Sequence, residues 1–81
     1  MIRKEDKNGI TVIHFTDTDK ITAINSDELK NKLNPLFEDT KGYKLVMNFE
    51  GIDFIDSSGF GAFLSVMKAA DRNGGSLKLC N

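Results

Sequence analysis

Residues 48–67 read NFEGIDFIDSSGFGAFLSVM, and this stretch decides the fold. It predicts the end of a buried strand, a short extended connection and then an amphipathic helix. After Asp56 the apolar residues recur at i, i+3, i+4 and i+7, a spacing that places them on one stripe of a helix. These residues are Phe60, Phe63, Leu64 and Met67. The helix therefore begins beside a pair of serines.

Ser57 and Ser58 are predicted to lie at the start of this helix. The first backbone N–H groups of a helix lack intrahelical partners and the macrodipole is positive there, so hydroxyl caps and anions are both favoured. One interpretation is that the serines only cap the helix. The other is that Ser58 is the cap and Ser57 is a place for a phosphate group.

Composition narrows the class of protein. The chain has 81 residues, 40% of them hydrophobic, with a formal net charge of -1. No apolar run approaches the roughly 18 residues that a transmembrane helix needs, and no basic stripe indicates nucleic-acid or anionic-membrane binding. The single cysteine, Cys80, excludes an internal disulfide, and the N-terminus lacks the apolar segment of a signal peptide. We expect a cytoplasmic domain that contacts other proteins and needs no cofactor or metal.

The first half of the chain predicts a hairpin followed by a helix. Residues 2–6 form an expected edge strand, the turn signal Asn8-Gly9 follows, and residues 10–16 are β-branched and aromatic. Asn25 and Glu28 have the spacing of a capping box at a helix start. Pro35 predicts a kink or a restart of that helix, because proline removes a backbone donor.

The second half predicts two further strands around the serine-containing helix. Residues 44–49 are almost continuously apolar, as in a central strand, and residues 76–80 form an expected last strand. The order strand, strand, helix, strand, helix, strand predicts an α/β fold. We expect a small mixed, mostly parallel four-stranded sheet with right-handed βαβ crossovers and both helices on one face.

Residues 48–60, NFEGIDFIDSSGF, resemble the signature of the STAS domain, the fold of bacterial anti-sigma factor antagonists. The family pattern is an apolar strand ending in Asp or Asn, an apolar pair, and Asp-Ser-Ser-Gly before an apolar helix. The resemblance covers residues 1–81 as a single STAS-like domain. The family normally continues with a helix, a strand and a terminal helix, so this chain is expected to be short at its C-terminal side.

The resemblance implies a phosphorylation switch at Ser57. In such proteins the unphosphorylated antagonist binds an anti-sigma factor that is also a serine kinase, phosphorylation ends this binding, and a serine phosphatase restores it. Gly59 and Gly61 lack a Cβ and let another backbone approach closely. In the preceding loop, Thr22 stands where the family commonly has an aspartate. The residues expected at the partner interface are Thr22, Asp56, Ser57, Ser58, Gly59, Phe60 and Gly61.

Three alternatives remain open. The chain could be a STAS-fold binding or scaffold module that is never phosphorylated, as in transporters or other signalling complexes. It could be an enzyme with Ser57 as the nucleophile, but His14 is the only histidine available as a base, and the Gly-x-Ser-x-Gly elbow is absent. An exposed last strand could also pair with a second copy to form a homodimer.

Overall fold

A β-hairpin begins the chain. β1 (Ile2–Lys7) and β2 (Ile10–Phe15) pair antiparallel, so that Ile2 lies opposite Phe15. Asn8 and Gly9 join them with φ angles of 53° and 82°. Positive φ at both central residues is the signature of a type I′ turn, whose twist matches that of the strands. The computed structural model, which describes all 81 residues, thus confirms the predicted hairpin.

The remaining elements complete one main sheet and one small one. They are β3 (Lys20–Ile21), α1 (Ser26–Asp39), β4 (Lys44–Asn48), β5 (Phe54–Ile55), α2 (Ser57–Arg72) and β6 (Ser76–Cys80). The main sheet has the order β1-β2-β4-β6, with β2, β4 and β6 parallel. The predicted mixed, mostly parallel four-stranded fold is confirmed. β3 and β5 form a separate parallel pair of two residues each, which was not predicted.

Both helices cover the same face of the main sheet. Alternate residues of the central strands point to this face and are buried, among them Ile13, Leu45 and Met47. They join one core with Leu29, Leu33 and Phe37 of α1 and Ala62, Phe63, Val66, Ala69 and Ala70 of α2. Truncating one of its large side chains to alanine would cost about 2–5 kcal/mol. The opposite face of the sheet has no helix, as predicted.

The start of α1 differs from the prediction. Asn25 precedes the helix, but its side chain makes no cap hydrogen bond, so the predicted capping box with Glu28 is wrong. The Asn25 amide oxygen instead accepts a hydrogen bond from the Thr22 N–H at 2.9 Å. α1 also runs from Ser26 to Asp39 without a restart at Pro35. The hydrogen bond with Thr22 therefore overrides the capping signal of Asn25, and the kink at Pro35 stays a prediction.

The apolar stripe of α2 is only partly buried. Phe63 is in the core, whereas Phe60, Leu64 and Met67 are 61%, 43% and 42% exposed. The small residues of α2 face the core instead, because they allow the helix to pack closely on α1 and the sheet. The exposed stripe lines an apolar groove next to Leu79 of β6.

Candidate functional site

The start of α2 is capped by Asp56. The Asp56 Oδ1 atom accepts a hydrogen bond from the Gly59 N–H at 2.9 Å, and the Asp56 carbonyl accepts one from the Phe60 N–H. Aspartate is among the preferred N-cap residues because its carboxylate satisfies a free donor of the first turn. The prediction that Ser58 is the cap is therefore wrong.

Capping by Asp56 leaves both serines free for other contacts. Ser57 and Ser58 are the first two residues of α2, and both are exposed. The N–H groups at the start of a helix have no intrahelical acceptor, and here the Asp56 side chain satisfies that of Gly59. An anion attached to Ser57 would lie beside these donors at the positive end of the helix dipole, which favours it by about 0.3–1 kcal/mol.

The small sheet fixes the position of this helix start. Lys20 pairs with Phe54 and Ile21 with Ile55, and the Asp56 N–H donates to the Ile21 carbonyl at 3.1 Å. The loop that follows β3 is thereby held next to the start of α2. Two-residue strands are too short to show an alternating pattern, so the sequence did not reveal this connection.

The structure brings most of the predicted interface together. Thr22 directly follows β3, and its Oγ1 accepts a hydrogen bond from the Ile24 N–H at 3.2 Å. Asp56, Ser57, Ser58, Phe60 and Gly61 belong to the N-cap and the first residues of α2. Gly61 has open space around the position of a Cβ. All of these residues except Thr22 and Asp56, which are half-buried, are exposed.

Gly59 differs from this expectation. It is buried, and a Cβ there would lie 2.6 Å from the Ile21 carbonyl oxygen and 2.9 Å from the Ile21 Cγ2 atom. The backbone that approaches Gly59 closely is thus the chain's own β3. Its lack of a side chain serves internal packing, and the expectation that a partner contacts it is corrected.

The site is rich in negative charge. Asp19 and Asp53 lie in adjacent loops, since the Asp53 N–H donates to the Asp19 carbonyl at 2.8 Å, and Asp56 follows β5. Lys20 is the nearby cation, and its Nζ atom lies 3.5 Å from Asp19 Oδ1. A phosphate would add about -1.5 to -2 charges to this surface.

The other chemically versatile side chains lie elsewhere. The His14 Nε2 atom is 3.0 Å from Glu5 Oε1, in a contact between β2 and β1 on the face of the sheet without helices. The hydrogen bond from His14 lowers the pKa of the Glu5 carboxyl. Cys80 is exposed on β6. No group of three His, Cys, Asp or Glu side chains is arranged to hold a metal ion, and none of the helices has the length and apolarity to span a bilayer.

Known proteins resemble this chain over its whole length. The family model described as STAS domain matches residues 1–81. The anti-sigma-B factor antagonist of Bacillus subtilis (strain 168) is 35% identical over 78 residues, which are 96% of this chain and 67% of that protein.

Two solved structures share the fold. The anti-sigma factor antagonist SpoIIAA in its unphosphorylated form has a TM-score of 0.77 at 23% identity, covering 100% of this chain and 73% of that one. The Bacillus cell fate determinant SpoIIAA in its phosphorylated form has a TM-score of 0.70 at 21% identity, covering 95% and 68%. Fold, signature and family model agree, and the chain belongs to the STAS domain family.

Proposed function

We propose that this chain is an anti-sigma factor antagonist switched by phosphorylation of Ser57. In its unphosphorylated form it binds an anti-sigma factor that is also a serine kinase, and so regulates bacterial transcription in the cytoplasm. The observation that carries the proposal is the exposed Ser57 hydroxyl in the first turn of α2, directly after the cap residue Asp56. The names of the relatives support the same role, and SpoIIAA exists in a phosphorylated form.

The proposed switch is electrostatic. The kinase transfers the γ-phosphoryl group of ATP to Ser57 Oγ, ADP leaves, and the hydroxyl proton passes to a base of the kinase. The new dianion lies next to the Asp56 carboxylate, and one like charge at about 5 Å costs on the order of 3 kcal/mol per unit charge at an effective dielectric constant of 20. A partner surface fitted to a neutral hydroxyl releases the modified chain. A serine phosphatase then removes the phosphoryl group.

Catalysis by this chain itself is not part of the proposal. A nucleophilic serine needs a base within hydrogen-bonding distance. The imidazole of His14 is engaged with Glu5 on the sheet face opposite to the helices.

The direct test is phosphorylation by the serine kinase encoded in the same genome. We expect the chain incubated with this kinase and ATP to gain the mass of one phosphoryl group, and Ser57→Ala to gain none. Ser58→Ala is the matched control and should still gain one phosphoryl group, because it keeps the Ser57 hydroxyl and the Asp56 cap. An unchanged wild-type mass together with stable partner binding would favour the alternative of a STAS module that is never phosphorylated.

A second experiment isolates charge from size. Ser57→Glu should weaken binding of the anti-sigma factor at least about tenfold, which corresponds to about 1.4 kcal/mol. Ser57→Gln introduces a side chain of the same shape as glutamate without its charge, and it should weaken binding of the anti-sigma factor much less. Equal losses in titration calorimetry for the two variants would contradict the electrostatic mechanism.

A further inference from the structure

Ile24 is the most exposed large hydrophobic residue of the chain, with 96% of its surface accessible. A single exposed aliphatic residue is common on protein surfaces and by itself indicates nothing. What distinguishes Ile24 is the loop that carries it, the residues 22–25 between β3 and α1.

This loop is held by its own polar groups. The Thr22 N–H donates to Asn25 Oδ1, and Asn25 Nδ2 donates to the Lys20 carbonyl, both at 2.9 Å. The Ile24 N–H donates to Thr22 Oγ1, and the Ser26 N–H donates to the Thr22 carbonyl at 2.9 Å. The side chains of Thr22 and Asn25 are therefore used inside the loop, and the isoleucine is presented to solvent. A side chain on a backbone that is already ordered loses less entropy on binding.

The loop is continuous with the phosphorylation site. It directly follows Ile21, whose carbonyl accepts the hydrogen bond from the N–H of Asp56. Two further large apolar side chains at this end are exposed, Phe54 by 50% and Phe60 by 61%. Asp19, Asp53 and Asp56 flank β3 and β5, and of their carboxylates that of Asp19 lies 3.5 Å from Lys20 Nζ. The surface around Ser57 thus combines apolar side chains with negative charge.

We propose that Ile24 is the anchor through which the anti-sigma factor/serine kinase docks on this chain. The inference rests on the proposed function and adds the chemistry of the partner, which presents an apolar pocket for Ile24 with basic side chains at its rim. The pocket recognises the loop, while the phosphorylation state of Ser57 decides whether the complex persists. Ile24 acts as a positioning residue, because it touches no reacting atom.

The experiment compares Ile24→Ser with Ile24→Leu in binding to the purified kinase of the same genome. We expect Ile24→Ser to raise the Kd at least about tenfold and Ile24→Leu, which keeps the apolar volume, to bind nearly like the wild type. The melting temperature should not change, because the side chain contributes little to the core. Ile10→Ser, on the helix-free face, is the control and should leave the Kd unaltered.

Phosphorylation kinetics provide a second readout. Ile24→Ser should raise the KM of the kinase for this chain and leave kcat unchanged. The lost contact stabilises the ground state and the transition state equally, so its loss weakens binding without slowing phosphoryl transfer. Added salt should weaken wild-type binding if the rim of the pocket is basic. Wild-type affinity and KM in Ile24→Ser would overturn the inference and leave the proposed function standing. A wild-type chain that neither binds the kinase nor is phosphorylated would overturn the proposed function itself.

Discussion

At the scale of single residues, Asp56 and Ser57 divide the work at the start of α2. The carboxylate of Asp56 accepts the hydrogen bond from the Gly59 N–H, so the hydroxyl of the adjacent Ser57 is not needed for the cap. If a serine were the cap, phosphorylation would esterify the oxygen atom that accepts the cap hydrogen bond. Here the proposed phosphorylation of Ser57 would change the charge of the surface without removing the cap, which is Asp56.

The two glycines of α2, Gly59 and Gly61, differ in what surrounds them. A Cβ at Gly59 would collide with the backbone of Ile21, whereas a Cβ at Gly61 meets nothing within 4 Å. Gly59→Ala should therefore destabilise the chain by about 1–3 kcal/mol through forced backbone shifts. Gly61→Ala should stabilise it by up to about 1 kcal/mol, because alanine is the better helix former.

Urea denaturation measures both changes. Gly61→Ala is the control for Gly59→Ala, since the substitution is chemically the same and lies in the same helix. If Gly59→Ala were as stable as the wild type, the close packing of α2 on β3 would be contradicted.

At the scale of elements, the hairpin contains a carboxyl group, that of Glu5, whose pKa is lowered. The hydrogen bond from His14 across the β1–β2 pair lowers the pKa of Glu5 in the folded chain. The ionised form of Glu5 is thus favoured by folding. This stabilisation is present above the carboxyl pKa of the unfolded chain, about 4.3, and is lost as the pH falls through the lower folded value.

Replacement of Glu5 by glutamine tests this dependence on pH. Glu5→Gln should melt at a lower temperature than the wild type near neutral pH, and the difference should disappear in acid, where Glu5 is protonated. Thermal denaturation of both proteins at a series of pH values from neutral to acidic measures this difference in melting temperature. The Glu5 side chain is 37% exposed and the contact is screened by solvent, so the effect should be small, and a difference that persisted at low pH would contradict the assignment.

The elements could be predicted from the sequence where the signal is local. The Asn8-Gly9 turn needs positive φ at two residues, and few pairs other than Asn-Gly supply it. The parallel strands follow from their apolar runs and the helices between them. The phosphorylation site itself was predicted from the signature after Asp56, and its role remains a prediction.

Other features were missed because tertiary contacts decide them. Asn25 has the spacing of a helix cap, but its side chain accepts a hydrogen bond from the Thr22 N–H instead. Which of the two contacts forms depends on the position of β3. The stripe of α2 was found at the right spacing, yet three of its four members are exposed, because the alanines on the neighbouring face pack more closely. Ile24 gave no signal at all, since a single apolar residue in a loop has no periodicity.

At the scale of the whole molecule, β6 has one neighbour in the sheet, β4, and an unpaired outer edge. The groove beside it exposes Leu64, Met67 and Leu79. A strand with an unpaired edge next to apolar side chains can pair with a strand of another copy. The homodimer through β6 stays a prediction for this 81-residue chain.

Sedimentation equilibrium tests the homodimer. We expect self-association at high protein concentration and its loss in Leu79→Lys, because a charge at the edge opposes strand pairing. A control, Lys41→Ala in the loop between α1 and β4, should associate like the wild type. A wild-type chain that sedimented only as a monomer would contradict the predicted homodimer.

The β3–β5 pair has a consequence for the motions of the molecule. It consists of two residues on each side, and both Phe54 and Ile55 are partly exposed, whereas the main sheet runs through the core. Local opening costs least where few buried contacts must be broken. The contact between the loop 22–25 and the start of α2, which runs through this pair, should therefore open more readily than the main sheet. Hydrogen exchange should show the amides of Asp53 and Asp56, which donate across this connection to Asp19 and Ile21, losing protection together and well before that of Met47.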